Sequence, residues 1–400
     1  MNILQLCNKF IYPPKDGGAI GIFNYTKAFS ASENKVTVLA MNTPKHYYDV
    51  KNLPEKIKKL ADWIAVDVNN EVNPFSALWN LLQGRSYNIA RFISSEYNDK
   101  LIELLHQNKF DIIQLEGLYL SPYVETIRAF SDAKISMRSH NIEHEIWERI
   151  ARNEKSIFKR WYLKILAKQL KKYEIERLNK YDMMTSVTER DAQLLKQFGC
   201  ELPLHVCPAL YDETVLSPDK TKMEFPSIFF IGALDWMPNV EGLEWFLKNV
   251  WGKIHSQFPN VKFYIAGRNA KDFNYDKGKN IEMIGEVENA YDFMNSKGIM
   301  IVPLLSGSGI RVKIIEGMAL GKTIVSTSLG AEGIPYKDAQ NILIADTPET
   351  FAGKISKCIN EKIFFTLIGD NAYQFAKRQF SSQEVVKKLL EFFESGLKPN

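Results

Sequence analysis

The chain has 400 residues, of which 45% are hydrophobic and 12% aromatic, enough to build more than one packed core. Its net charge of +4 is too small to predict a nucleic-acid partner, and no helix-turn-helix, zinc-finger or RNP motif accompanies it. No apolar run approaches the ~18 residues needed to cross a bilayer, and the first residues lack the apolar stretch of a secretory signal.

The four cysteines, at positions 7, 200, 207 and 358, form no C-x-x-C pair, which argues against a disulfide framework or a zinc cluster. His140 and His144 stand four residues apart but outside an H-E-x-x-H pattern. The sequence therefore predicts a protein of the reducing cytoplasm that binds no metal.

The first half of the chain alternates between strand-like and helix-like segments, which is typical of a parallel sheet with crossover helices. Strands are predicted at residues 3–7, 36–40, 112–115, 134–138 and 183–187, and helices at 19–32, 98–107 and 143–179. Residues 202–226 hold four prolines and little periodicity. We therefore expect the domain boundary in this stretch, between residues 207 and 208.

Two loops of the first half precede helices and are candidates for ligand binding. The loop after the first strand ends in Gly17 and Gly18, whose backbone could approach a diphosphate or an acceptor. A plain glycine turn is the alternative, and the absence of a G-x-G-x-x-G fingerprint argues against a dinucleotide redox role. His140 follows a predicted strand, which places it at the functional edge of the sheet; a histidine that caps its helix or packs under the loop is the alternative.

The segment 149–180 is strongly basic, with eleven Lys or Arg against three Glu, a net charge of +8. Apolar residues, including Phe158 and Trp161, are interleaved with the basic ones. This pattern suits the surface of an anionic membrane. It equally suits a helix that packs an apolar stripe on its own domain and leaves a basic face in solvent.

The second half predicts another α/β sheet, with a glycine-rich loop before a helix. Strands are predicted at 227–231, 262–266, 281–284, 299–303 and 323–326, and helices at 240–249 and 310–320. The small residues of loop 304–309 let amides approach an anion, and Arg311 and Lys313 in the first helical turn add positive charge. The alternative is an ordinary turn beside a Lys313–Glu316 ion pair.

The run GSGIRVKIIEGMALGKTIVSTSLGAEGI, residues 307–334, resembles the donor-site segment of retaining nucleotide-sugar glycosyltransferases of family 4. It is most similar to the subgroup with a G-S-G-x-R-x-K-x-x-E motif, and weaker similarity extends over nearly the whole chain. The resemblance implies the GT-B fold, an α/β architecture of two Rossmann-like domains that face each other across a cleft. It assigns 1–207 to an acceptor-side domain, joined by a C-terminal helix at 383–397, and 208–382 to the donor domain.

The resemblance also implies a site. Arg311 and Lys313 would neutralise the diphosphate, Glu316 would hold the ribose, and His140 would contact the transferred sugar. Many family members carry a second glutamate eight residues before Glu316, where this chain has Ser308. Further substrate contacts are expected from Gly17, Gly18, Asn141, Glu143, Gly232, Arg268, Gly285, Val287, Gly307, Ser308, Gly309 and Ile310.

Residues that follow three strands of the second half are further candidates for the donor site. Arg268 follows a strand, and an unrelated surface arginine is the alternative reading of it. Leu234 and Asp235 stand where many relatives carry a basic phosphate ligand, so more of the charge neutralisation falls on Arg311 and Lys313. The base is expected to bind main-chain groups around 285–287, so the side chains do not reveal which base it is.

The sequence thus predicts a retaining hexosyltransferase that moves a sugar from a nucleotide-sugar donor to a hydroxyl of a glycan or lipid-linked acceptor. No cofactor is expected, and no metal, since the chain contains no D-x-D motif. The expected location is cytoplasmic, with peripheral attachment to the inner face of the membrane through 149–180 as a further hypothesis. Two alternatives remain: a nucleotide-sugar epimerase of the same fold, which needs no acceptor, and a non-catalytic membrane-surface adaptor, which would bind no nucleotide.

Overall fold

The computed structural model describes residues 1–14, 16–271, 273, 280–307 and 309–397. These residues divide into two compact units. Unit 1 comprises Met1–Pro208 together with the chain from Val385 onward, and unit 2 comprises Ala209–Glu384. Each unit contains a parallel sheet flanked by helices, so the predicted α/β class is confirmed.

The described part of unit 1 has a seven-stranded parallel sheet. Its strands are β1 (Asn2–Cys7), β2 (Lys35–Asn42), β3 (Asp62–Asp67), β4 (Ile112–Glu116), β5 (Lys134–Ser139), β6 (Met183–Ser186) and β7 (Leu204–Val206). The spatial order is β3-β2-β1-β4-β5-β6-β7. The order reverses between β1 and β4, so the loops after these two strands diverge and leave room for a ligand at the carboxyl edge.

Helices cover both faces of this sheet, and the core between them is apolar. They are α1 (Gly17–Ala31), α2 (Glu55–Lys58), α3 (Pro74–Leu82), α4 (Tyr87–Ala90), α5 (Ser95–Gln107), α6 (Val124–Phe130), α7 (Glu143–Asn153), α8 (Ile157–Arg177) and α9 (Glu189–Gln197). Short 3₁₀ turns lie at Pro44–His46, Val50–Asn52 and Leu118–Tyr123. Burial of both sheet faces explains why most strands read as continuous apolar runs.

The single long helix predicted for 143–179 is wrong, because the structure has two helices there. Glu154 and Ser156 both have extended backbone angles. The Glu154 carboxylate accepts a hydrogen bond from the amide of Ser156 at 2.8 Å. This local bond stabilises a turn, and the turn makes α7 and α8 a packed helical hairpin.

The described part of unit 2 has a six-stranded parallel sheet in the order β10-β9-β8-β11-β12-β13. The strands are β8 (Glu224–Ile231), β9 (Lys262–Ala266), β10 (Ile281–Gly285), β11 (Lys297–Val302), β12 (Thr323–Ser326) and β13 (Leu343–Ile344). Here the order reverses between β8 and β11, which brings the loop after β8 next to the glycine-rich loop after β11.

The helices of unit 2 are α10 (Met237–Phe246), α11 (Gly252–Gln257), α12 (Ala290–Asn295), α13 (Val312–Ala319), α14 (Pro348–Asn360) and α15 (Lys362–Phe380), with a π-helical turn at Leu247–Trp251. A final helix, α16 (Ser382–Leu397), starts in unit 2 and packs in unit 1 from Val385 onward. No helix in the described ranges is long and apolar enough to cross a membrane.

Candidate functional site

Lys313 lies in the first turn of α13 and reaches the end of β8. Its Nζ donates to the carbonyl of Ile231 at 3.1 Å and to Oδ1 of Asn239 at 3.0 Å. Burial lowers the pKa of Lys313 to about 7, and the charge of Arg311 adds to the effect. Within the described residues Lys313 forms no ion pair with Glu316, so the predicted structural alternative is not what the fold shows. The amine is therefore held by neutral acceptors, near a helix N-terminus that disfavours positive charge.

Arg311 caps the same helix and is 5% exposed. Its guanidinium donates to the carbonyl of Gly309 and lies 5.8 Å from the ring of Trp236. Gly307 and Gly309 both have positive φ, and a Cβ at Gly307 would come within 3.3 Å of both Arg311 and Trp236. The loop glycines thus allow the backbone to fold closely around the guanidinium.

Glu316 follows one turn later on α13 and is half-buried. The hydroxyl of Tyr291 in α12 donates to its Oε1 at 3.1 Å. Burial raises the pKa of Glu316, and the bond from Tyr291 opposes this. Sequence reasoning named Glu316 but not Tyr291, because the two residues are far apart along the chain.

Glycines allow a close approach of the strand ends beside Lys313. A Cβ at Gly232 would lie 2.8 Å from Nδ2 of Asn239 and 3.1 Å from Nζ of Lys313. Gly267 has φ +139°, and a Cβ there would lie 2.0 Å from the carbonyl oxygen of Gly232. The amide of Gly267 in turn donates to the carbonyl of Gly285, which has φ +84°, at 2.7 Å. Sequence reasoning named Gly232 and Gly285 but missed Gly267. Glycine is needed at position 267 because the backbone of another strand end lies close to it, and only the fold creates this contact.

The remaining unit 2 residues of the predicted site lie around this cluster. Arg268 is 53% exposed and pairs with Asp235 at 2.7 Å, which ties the loop after β9 to the loop after β8. Val287 and Ile310 are half-buried, in the loops after β10 and β11. Ser308 lies outside the described residues.

Glu116, at the end of β4, organises the carboxyl edge of unit 1 and was missed by sequence reasoning. It is fully buried and accepts hydrogen bonds from Gln5, Gln114, Arg138 and Nε2 of His140, the last at 3.0 Å. Burial alone would raise the pKa of Glu116, but the charge of Arg138 and the bond from His140 hold it at about 2. The sequence does show a glutamate at the end of an apolar strand, which could have singled out Glu116. Its hydrogen-bond partners come from three strands, and the sequence does not show that they meet.

His140 is partly exposed and is oriented by Glu116. Burial lowers the pKa of His140, the bond to Glu116 opposes this, and the charge of Arg138 lowers it further. Because an ionised carboxylate can only accept, the neutral ring must carry its proton on Nε2. Nδ1 then has a lone pair that can accept a hydrogen bond from a ligand hydroxyl.

Asn141 and Glu143 extend the His140 cluster. The Glu143 carboxylate accepts a hydrogen bond from Tyr119 at 2.7 Å, and Asn141 also bonds to it. Burial raises the pKa of Glu143 to about 7. Glu174 of α8 accepts from the amides of Glu143 and His144 at 3.0 and 3.2 Å, so Glu174, and not His140, satisfies the start of α7.

Gly17 and Gly18 are the first residues of α1 and directly follow Asp16, which belongs to a charged cluster. Asp16 caps the helix through the amide of Ala19 at 2.9 Å, and its carboxylate also contacts Lys9 at 2.6 Å and His46 at 2.9 Å. Burial opposes ionisation of Asp16, but the hydrogen bonds from Lys9 and Ala19 hold its pKa well below the usual range. A Cβ at Gly18 would lie 3.0 Å from Nζ of Lys9, whereas Gly17 faces open space.

The chemistry of the unit 2 cluster suits an anion. Arg311, Lys313 and the first amides of α13 converge at the reversal point of the sheet, where ligands of such sheets bind. The unit 1 cluster offers a neutral imidazole and a titratable carboxyl group. Among the described residues, no group of three or more His, Cys, Asp or Glu could hold a metal ion.

The sequence comparisons point to glycosyltransferases. Residues 225–361 match the family model "Glycosyl transferases group 1". An uncharacterized 44.6 kDa protein in the cps region of Klebsiella pneumoniae is 23% identical over 398 residues, covering 95% of this chain and 96% of its own. An uncharacterized glycosyltransferase of Methanocaldococcus jannaschii is 29% identical over 118 residues, 28% of this chain and 33% of its own.

Solved structures resemble the whole chain at low identity. Sucrose-phosphate synthase from Thermosynechococcus elongatus has a TM-score of 0.70 with 12% identity and 99% coverage of both chains. Anabaena Alr3699/HepE in complex with UDP has a TM-score of 0.65 with 13% identity, covering 99% of this chain and 100% of its own. A variant of S. aureus TarM bound to Fondaparinux, alpha-GlcNAc-glycerol and UDP has a TM-score of 0.65 with 12% identity, covering 98% and 100%.

The fold and the sequence match lead to the same group of proteins. The chain therefore has the GT-B fold of these structures, and its residues 225–361 match the Glycosyl transferases group 1 model.

Proposed function

We propose that the protein is a retaining glycosyltransferase that moves a hexose-type sugar from a nucleotide-sugar donor to a hydroxyl of a glycan or lipid-linked acceptor in the cytoplasm. The observation that carries the proposal is the pair of cations at the start of α13, of which Arg311 is buried and Lys313 is half-buried. Their position at the reversal point of the unit 2 sheet is where a ligand phosphate would meet the helix amides.

A diphosphate explains the environment of Lys313 better than the neutral partners alone. Burial of the amine and the charge of Arg311 lower the pKa of Lys313, and a nearby anion would favour the charged form. Sugar transfer requires stabilisation of the departing diphosphate, which prearranged cations and amides supply. HepE has been solved with UDP and with UDP-glucose, which supports a donor of this class for a chain of the same fold.

Glu316 and His140 are each proposed to bind hydroxyl groups of a substrate, within unit 2 and unit 1 respectively. A carboxylate one turn beyond Lys313 can accept hydrogen bonds from ribose hydroxyls. His140, with its proton fixed on Nε2 by Glu116, can accept a hydrogen bond from a hydroxyl of the transferred sugar through Nδ1. We assign no enzymic nucleophile, and retention is proposed from the resemblance of residues 307–316 to the retaining family.

Metal independence is proposed because two side-chain cations already face the expected diphosphate. Transfer should therefore persist in the presence of a chelator. An activity that a chelator removes and Mg²⁺ or Mn²⁺ restores would contradict this part of the proposal.

The test of donor binding is a thermal-shift screen against UDP, GDP, ADP and CMP and their sugar conjugates. Ligand at ~100 times its Kd should stabilise the protein by about 2.7 kcal/mol. Lys313→Met should weaken diphosphate ligands much more than the free nucleoside, and Glu316→Ala should weaken both. Equal losses for both ligands in Lys313→Met would contradict the role of Lys313.

Lys322 provides a matched control for the loss of a buried lysine. It is buried, its pKa is lowered to about 8, and it donates to the carbonyls of Asn295 and Lys297, both at 3.0 Å. These partners lie at the amino ends of the strands, away from Lys313. Lys322→Met should lower the melting temperature without changing the ligand-induced shift.

The same screen separates the alternative functions. If no nucleotide or nucleotide sugar shifts the melting temperature of the wild type, the adaptor alternative is favoured. Turnover of the donor without an acceptor would favour the epimerase.

A further inference from the structure

Helix α3 presents three large apolar side chains to solvent. Phe75, Trp79 and Leu82 follow i, i+4, i+7 spacing, so they share one face of the helix. On another face, Ala77 is buried against Tyr87 and against Leu166 of α8. A surface helix of a soluble domain normally buries its apolar face, and α3 exposes it.

The first turns of α8 expose further apolar side chains next to α3. The side-chain amide of Gln169 in α8 donates to the carbonyl of Leu81 in α3 at 3.2 Å, so the two helices are neighbours. We define the α3/α8 surface as Phe75, Trp79, Leu82, Ile157, Phe158 and Trp161, whose exposed fractions lie between 63% and 86%. Clustering of large exposed apolar residues marks an interaction site in a soluble protein.

The charge around the α3/α8 surface has one sign. Residues 155–172 contain seven Lys or Arg and no Asp or Glu, and residues 72–94 contain two Arg and no acidic residue. Lys159, Lys164 and Lys168 are exposed, and none of them forms an ion pair within the described residues. The surface therefore combines aromatic side chains with three exposed lysines that form no ion pair within the described residues.

The hairpin links this surface to His140. Helix α7 begins three residues after His140 and has 11 residues, which corresponds to about 16 Å of helix. At its far end the turn at 154–156 leads into Ile157 and Phe158. Helix α8 returns to Glu174, which bonds to the first amides of α7 and fixes the hairpin at the His140 end.

We propose that the α3/α8 surface docks on an anionic phospholipid bilayer, with its aromatic side chains in the interface and its lysines among the headgroups. Aromatic residues beside lysines are the composition that binds such interfaces. A second copy of the chain fits less well, since two identical positive surfaces would repel each other. This inference rests on the proposed function in one respect: docking would bring the His140 cluster to an acceptor carried on lipid.

The experiment is sedimentation of the full-length protein with vesicles of phosphatidylcholine alone or with about 30% phosphatidylglycerol, at low and high salt. Wild type should sediment with the anionic vesicles, and high salt should weaken binding. Phe158→Ser/Trp161→Ser should reduce partitioning at least tenfold by removing inserted side chains. Lys159→Gln/Lys164→Gln/Lys168→Gln should reduce it about a hundredfold, as expected for three basic residues near an anionic surface.

Matched variants come from exposed residues elsewhere. Ile363→Ser/Leu367→Ser and Lys248→Gln/Lys377→Gln/Lys387→Gln remove comparable side chains and should bind vesicles like wild type. Failure of wild type to bind, or equal binding by all variants, would overturn the proposal. Self-association that the aromatic variant abolishes, without vesicle binding, would also overturn it in favour of an interface between copies. The nucleotide-induced thermal shift, measured on the same variants, should be unchanged, so a failure of docking is distinct from a failure of the donor assignment.

Discussion

Lys313 should make the proposed donor binding sensitive to pH. Its pKa of about 7 in the free protein should rise when a diphosphate lies next to it, so the complex takes up a proton. Affinity is then full below about pH 7 and falls, by up to about tenfold per pH unit, as the pH rises from there towards the pKa in the complex. Calorimetry with a nucleotide sugar at about pH 8, in two buffers of different ionisation enthalpy, measures the uptake. Lys313→Met should abolish it, and unchanged uptake in this variant would assign the proton to another group.

Glu143 should destabilise unit 1 at neutral and higher pH. Its pKa is raised to about 7 in the folded state, above the ordinary value of 4.5. Between these two values the folded protein binds more protons than the unfolded one, so the free energy of unfolding decreases as the pH rises from about 4.5 through about 7. Glu143→Gln keeps an acceptor for Tyr119 and removes this dependence. We expect the variant to be about 2 kcal/mol more stable than wild type at pH 8 and nearly equal to it at pH 5.

Urea unfolding at the two pH values measures the Glu143 effect. Glu148→Gln is the control, because Glu148 lies on the same helix, is more exposed and forms an ion pair with Arg152 at 3.7 Å. A variant at position 143 that follows the wild-type pH dependence would show that Glu143 is ionised in the folded protein.

At the scale of elements, the ends of β8 and β9 depend on Gly267. A Cβ at this position would overlap the carbonyl of Gly232, and φ of +139° is unsuited to other residues. Gly267→Ala should therefore lower the free energy of unfolding by at least ~3 kcal/mol and move the loop that faces Lys313. Gly252→Ala is the control, since this helical glycine has open space and alanine should add up to ~1 kcal/mol. Chemical denaturation of both variants checks the contrast; equal stability would remove the steric argument.

The central strands could be predicted because parallel strands buried on both faces are continuous apolar runs, as in Lys297–Val302. Two edge strands, β3 and β13, lack this signal: β3 is half-exposed with acidic ends, and β13 has two residues. The break between α7 and α8 depends on one side-chain contact from Glu154, which a helical pattern does not reveal. The Glu116 network joins Gln5, Gln114 and Arg138 across three strands, and only the fold brings these residues together.

At the scale of the whole molecule, the two units have separate cores, and α16 belongs to unit 1 from Val385 onward. Phe393 is fully buried, with its ring 6.3 Å from that of Phe29. Phe393→Ala should destabilise unit 1 by ~3–5 kcal/mol and leave unit 2 unaffected. Hydrogen exchange should rise in β1 and β2 but not in β8 and β11. Phe351→Ala, at a fully buried position of unit 2, should give the opposite pattern; exchange that rises equally in both units would contradict separate cores.

The return of α16 to unit 1 has a consequence for biosynthesis. The ribosome makes residues 1–208 first, but that unit lacks its last helix until the chain beyond Val385 has emerged. At about 5–20 residues per second, unit 1 waits roughly 10–40 s after Pro208 is made, without the contact of Phe393 with Phe29. Unit 2 is continuous in sequence, and its last core helix, α15, is made before Phe393. The unit that is translated first is therefore the one that finishes folding last.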